Sequence, residues 1–199
     1  MEHMVARLIK IWLMFASRAA QSQFLTLLAG VLFLIGKIVR FLLFFVFLFA
    51  ILSSSKTLAD YSREQVIFFF LVFNLVDIMI QFFFRGVYQF RPLVVSGNYD
   101  LDLLKPLPSF FRPLFGWTDI LDFTTLVPLW GYFLWFVFTN HLFTGFIDFA
   151  LFFLLLLNAL IVGFAFHLFV CAVCILTTEI DHLIEVYRDL ANMARFPTD

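Results

Sequence analysis

Charge is what this chain has least of. Only 14% of its 199 residues are charged, 13 Lys and Arg against 14 Asp and Glu, for a formal net charge of −1. So even a balance carries no basic footprint for nucleic acid, and the few cations inform on topology more than on partners. Cysteine is as sparse. Cys171 and Cys174 lie three apart inside an apolar run, on one helix face. A redox or metal-binding pair would sit in a polar turn with further ligands nearby, and here none is present, so the two are read as packing residues. A phosphate loop is also missing: the step from Gly30 to Gly36 and Lys37 has the wrong spacing, is followed by Ile38 and lies in an apolar run. There is no His-Glu-x-x-His and no Gly-x-Ser-x-Gly, so a membrane enzyme fits poorly and no catalytic or metal-binding residue is assigned. No polar stretch exceeds about thirty residues, too few for a soluble domain.

What is present is hydrocarbon. Hydrophobic residues make up 63% of the chain, 32 of them Phe, and the mean hydropathy is +1.01. Soluble domains use about 45–50% apolar residues, so this is an integral membrane protein. The expected fold is all-α, one membrane domain over residues 1–199. Residues 4–20 place Val5, Leu8, Ile9, Trp12 and Leu13 on one helix side and Arg7, Lys10 and Arg18 on the other, the pattern of an interfacial helix. The interruption by Arg18, Gln21 and Ser22 argues against a cleaved signal peptide. Four transmembrane helices are expected over 24–52, 66–84, 117–138 and 147–176, the third bent near Pro128 and Gly131. The first would be roughly 43 Å long, more than the ~30 Å hydrocarbon core, and so must tilt or end among headgroups. Residues 177–195 keep helical spacing through Ile180, Leu183, Ile184, Tyr187 and Leu190, predicting an amphipathic cytoplasmic tail helix that leaves the membrane.

Orientation follows from the cations. Arg7, Lys10, Arg18, Arg85, Arg91, Lys105, Arg112, Arg188 and Arg195 fall on one side and only Lys56 and Arg63 on the other, which places both termini in the cytoplasm of a cell-membrane protein. The same rule puts the polar island of residues 85–112 there. At its centre, Asn98 or Asp100 can cap a short helix, Leu101, Leu103 and Leu104 supply apolar contacts, and Pro106 and Pro108 end it. A short capped helix with exposed leucines wants a partner.

The island reads Ser96, Gly97, Asp100, Leu103, Leu104, Lys105, Pro106 and Leu107 in the pattern Ser-Gly-x-x-Asp-x-x-Leu-Leu-Lys/Arg-Pro-Leu. In this it resembles the permease subunits of type-2 ABC exporters, whose loop between spans two and three carries that pattern. Residues 61–65 resemble that family's outer turn, and residues 4–20 its elbow helix. The resemblance implies that residues 96–107 form a coupling helix docking on a separate ATP-binding subunit. It also implies that ATP and magnesium are held there, with no cofactor in this chain, that a second permease copy completes the transporter, and that an amphipathic or lipid-like substrate moves outward. The family has six spans; this chain offers four before residues 196–199, which resemble the lead-in to a fifth, so the chain looks truncated or naturally short. A non-transporting membrane adaptor, presenting island and tail to a partner, is the alternative.

The polar residues inside the spans complete the inventory. A charge at a helix centre costs about 2.5–3.5 kcal/mol on insertion scales, so Lys37, Arg40, Asn74, Asp77 and Gln81 must face protein or water. Arg40 and Asp77 both lie roughly 17 Å from the outer turn and are expected to pair, with Lys37 near Gln81. Asn74, Asp77 and Gln81 share one face and either pair with span one or line a substrate route; pairing is favoured. Glu179 and His182, flanked by Asp181 and Glu185, have Glu-x-x-His spacing but no second copy, and are read as a solvated face. His167 and Asn158 are read as helix-packing hydrogen-bond groups, and Asp119 and Asp122 as anions stabilised at the start of span three by its dipole.

Overall fold

The computed structural model describes residues 2–25, 27–54, 57–58, 61–177 and 181–193. Its order is α1 (Glu2–Leu25), α2 (Leu27–Ser54), a two-residue antiparallel ladder of β1 (Thr57–Leu58) and β2 (Tyr61–Ser62), then α3 (Arg63–Phe84). A 3₁₀ turn (Arg85–Gln89) carries α3 into α4 (Phe90–Val95), followed by α5 (Asn98–Leu103), α6 (Phe111–Phe115), α7 (Ile120–Thr139), α8 (Phe146–Thr177) and α9 (Asp181–Met193). The fold is all-α apart from that ladder. By length and composition Arg63–Val95, Ile120–Thr139 and Phe146–Thr177 are each apolar enough to cross a membrane, and α2 carries the shorter apolar stretch Gly30–Val39.

Local chemistry sets the boundaries. α3 begins in a capping box: the Ser62 hydroxyl accepts from the Gln65 N–H at 3.3 Å while the Gln65 side chain accepts from the Ser62 N–H at 2.8 Å, so two of the helix's open donors are met. α8 is set by Asp148, whose carboxylate accepts from the Thr144 N–H at 2.7 Å, the Thr144 hydroxyl at 2.8 Å and the Gly145 N–H at 3.2 Å. Pro128 lies inside α7 and brings no N–H, so the Thr124 carbonyl lacks its intrahelical partner.

α3 is the hub. Its half nearer the β ladder packs Val66, Phe70, Leu71 and Leu75 against Leu126, Leu129, Phe133 and Val137 of α7, with the rings of Phe133 and Phe152 stacked at 5.0 Å. Its other half, through Phe84, packs together with Val87 of the 3₁₀ turn and Phe90 of α4 against Val170, Cys171 and Cys174 of α8 and Leu114 of α6. Both cysteines are buried thiols. Gly163 lets α8 approach closely, since a Cβ there would lie 2.6 Å from Ile80.

The amphipathic helices differ from the sequence reading in what they touch. On α1, Trp12 packs edge-on against Phe82 at 6.2 Å and Ala16 and Ala19 are buried, while Val5, Ile9 and Leu13 face outward. So α1 wedges a small-residue stripe against the bundle and leaves its apolar flank facing outward. α9 does not leave the bundle: Ile184 is buried in the α3–α8 core and Tyr187 stacks on Phe166 at 4.2 Å. Its apolar stripe is better buried against α8 than left in water. Glu179 and Ile180 lie outside the described residues.

Gly86 marks a close backbone crossing at the start of the island. A Cβ there would sit 2.6 Å from the Pro113 carbonyl oxygen and 2.7 Å from that of Leu114, backbone that cannot step aside. Gly86→Ala is expected to lower stability by about 1–3 kcal/mol through overpacking. Gly131→Ala, with nothing within 4 Å of its Cβ, should be neutral or stabilising by up to about 1 kcal/mol. Thermal unfolding in detergent, comparing the two, checks both.

Candidate functional site

The island is a clamp with one bare face. Gly97 precedes α5 with φ +70°, a left-handed turn that glycine adopts without strain, and it occupies the capping position with no side chain to offer. Asn98 therefore does not cap the helix; its amide donates backward to the Ser96 hydroxyl at 2.9 Å, and that hydroxyl donates to the Leu93 carbonyl at 3.3 Å. Asp100 lies in the first turn and is exposed. Asp102 is buried and holds the island shut: it accepts from Lys105 at 2.6 Å and from Arg112, joining the end of α5 to α6. Tyr99 is buried too, edge-on to Phe90 at 4.9 Å, and donates to the Ser109 carbonyl at 3.2 Å. Burial pushes its phenol above the ordinary value, which keeps the hydroxyl a donor. The helix ends at Leu103, before Pro106, and leaves Leu101, Leu103 and Leu104 exposed by 60, 52 and 82%.

The second site lies within the bundle. Lys37 of α2 reaches the Asp122 carboxylate of α7, and Arg85, at the foot of α3, bridges Asp119 at 3.2 Å and Asp122 at 3.3 Å. Asp122 is fully buried, so its charge is held by these two cations rather than by water. Asp119 also caps α7, accepting from the Leu121 N–H at 3.0 Å. Gln23 of α1 fastens the same turn, accepting from the Ile120 N–H at 3.1 Å and donating to the Thr118 carbonyl at 3.4 Å. Beside the cluster is a cavity of about 710 Å³, walled by α2, α3 and α7 and reached by Arg188 of α9. Asn74, Asp77 and Gln81 line it; Gln81 donates to Asp77 at 2.8 Å, and Asn74 to the Phe70 carbonyl at 2.8 Å.

The sequence model of the ABC-2 family transporter protein matches residues 38–199. The chain belongs to that family. No curated protein and no solved structure matches it. The match takes in the island, α7, α8 and the polar stripe of α3, and begins one residue after Lys37.

For this ABC-2 family protein, the island residues sit together in one small unit: Ser96 and Gly97 in its turn, Asp100, Leu103 and Leu104 on or just past α5, and Lys105 on Asp102. Pro106 is exposed just beyond. The intramembrane residues are placed differently. Lys37 binds the buried Asp122 carboxylate of α7, and it lines the same cavity as Gln81. The Arg40 side chain lies outside the described residues, so its expected contact with Asp77 does too. His167 bonds the Gly163 carbonyl of its own helix at 2.8 Å.

Sequence reasoning missed Arg85, Asp119 and Asp122 as one cluster, and Asp102 and Arg112 as the island's clamp. A depth count along two spans carries the first signal: Lys37 lies ~26 Å from the Ser54 end of α2 and Asp122 ~26 Å from the Thr139 end of α7. Asp102 gives no such signal, since an Asp in an island helix reads as solvated.

Asp122→Asn is expected to destabilise the protein by about 3–5 kcal/mol, as it strands buried cations. Adding Lys37→Met should cost less than the sum of the single changes, a coupling that a double-mutant cycle in detergent would measure. Gly97→Ala meets no neighbour within 4 Å, so its cost is conformational, about 1–2 kcal/mol. Faster proteolysis of the island is the expected readout.

Proposed function

We propose that this chain is the membrane-spanning permease subunit of an ATP-driven ABC exporter, coupled to a separate ATP-binding subunit through the island. The observation that carries the reading is α5: bolted to α4 and α6 through Tyr99, Asp102 and Arg112, it presents Leu101, Leu103 and Leu104 to solvent. Three exposed leucines on an immobilised helix are costly in water unless a partner covers them. Rigid anchoring suits a surface that must transmit force, because a loose loop would absorb it.

In this reading ATP and magnesium belong to the partner, the island and both termini lie in the cytoplasm, and a second permease copy completes the translocation path. The residues that dock are Ser96, Gly97, Asp100, Leu103, Leu104, Lys105 and Pro106. Asp100 and Lys105 supply charge at the rim and the leucines the apolar centre, the arrangement of a transient interface.

Leu104→Asp should lower co-purification of an ATP-hydrolysing subunit at least about tenfold, since a charge would enter a desolvated contact. Membrane insertion and melting temperature should stay as in wild type, because Leu104 is 82% exposed. Unchanged co-purification would sink the docking assignment. Capture of a partner without ATPase activity would favour a membrane adaptor.

A further inference from the structure

The cavity holds two charges that the ion cluster leaves over. Lys37 and Arg85 are engaged by Asp119 and Asp122, two cations against two anions. Asp77 and Arg188 also line the cavity, and among the described residues no ion pair joins them. Among the described residues Asp77 accepts from the neutral amide of Gln81, and Arg188 lies against the Tyr88 hydroxyl. Both side chains line the same cavity. Leu34, Ile38, Leu42 and Phe70 give the wall a large apolar share, beside the polar groups of Asn74, Thr124, Thr125 and Tyr132.

We infer that this cavity binds a zwitterionic phospholipid, its ammonium against Asp77 and its phosphate against Arg188. Among the described residues a carboxylate and a guanidinium that do not pair with each other share one largely apolar cavity, and one headgroup carrying both signs supplies each with a counter-charge. A purely anionic amphiphile would satisfy Arg188 and be repelled by Asp77; a purely cationic one would do the reverse. The volume of about 710 Å³ falls in the range of roughly 300–1,000 Å³ usual for small-molecule sites. The aliphatic wall favours a lipid over the free headgroup. The site stands on this chain alone and does not depend on the permease reading.

The test is native mass spectrometry of the purified full chain, incubated in detergent with equimolar short-chain phosphatidylethanolamine and phosphatidylglycerol, and separately with soluble phosphoethanolamine. Wild type should retain phosphatidylethanolamine about tenfold better than phosphatidylglycerol. Asp77→Asn should erase that preference, and Arg188→Gln should lower retention of both lipids. Equal retention of the two by wild type, which needs no variant to fold, would overturn the inference, as would an unchanged preference in Asp77→Asn. Phosphoethanolamine retained as tightly as the lipid would overturn the assignment to an amphiphile.

Discussion

Hydrocarbon offers no water to a charge, and the cluster of Lys37, Asp122, Arg85 and Asp119 is how this bundle meets that constraint. Its members come from three elements that no local rule brings together: α2, the foot of α3 and the first turn of α7. Asp122 can be fully buried only because two cations converge on it, and those cations tolerate their depth only because Asp122 and Asp119 are there. The junction in turn positions other parts. Gln23 ties α1 to the same turn of α7, so the amphipathic helix is fixed against the bundle by polar contacts as well as by Trp12. The wall of the cavity follows too, since Lys37 and Arg85 both line it.

Arg85 occupies a second structural crossroads. It opens the 3₁₀ turn that carries α3 into α4, and the next residue, Gly86, is where that turn meets the backbone of α6. From α6, Arg112 reaches Asp102 at the end of α5. The exposed leucines are thus separated from the intramembrane ions by a short series of packed, hydrogen-bonded pieces with little slack. In the proposed permease, a push on α5 would arrive at the foot of α3 and at Arg85. Low slack is what distinguishes such a unit from an ordinary connecting loop, which would run over the surface with its backbone solvated.

Much of the architecture could be read from the residues. Long apolar runs dictate helices because backbone polar groups in lipid must be satisfied within the segment. The same run of residues marks its own ends, as Ser62 with Gln65 does for α3 and Asp119 for α7. The motif from Ser96 to Leu107 carried the family, which the match over residues 38–199 shows. Cap assignment was less legible: Asn98 has a capping side chain, but the turn needs a positive φ and so places Gly97 at the cap.

The sequence by itself determined the solvent, the all-α class and which residues are too polar to face lipid, because each of these follows from composition or from spacing along one helix. Only the tertiary structure decided the partners. Spacing showed that Lys37 and Asp77 must find company, yet helix rotation and tilt settled that Lys37 meets Asp122 while Asp77 turns to Gln81 and the cavity. The same holds for α9, amphipathic in sequence but folded back so that Tyr187 stacks on Phe166 and Arg188 reaches the cavity. Periodicity fixes which face of a helix is apolar or charged; what that face touches depends on the packing of the helices around it, a long-range property that no local pattern encodes.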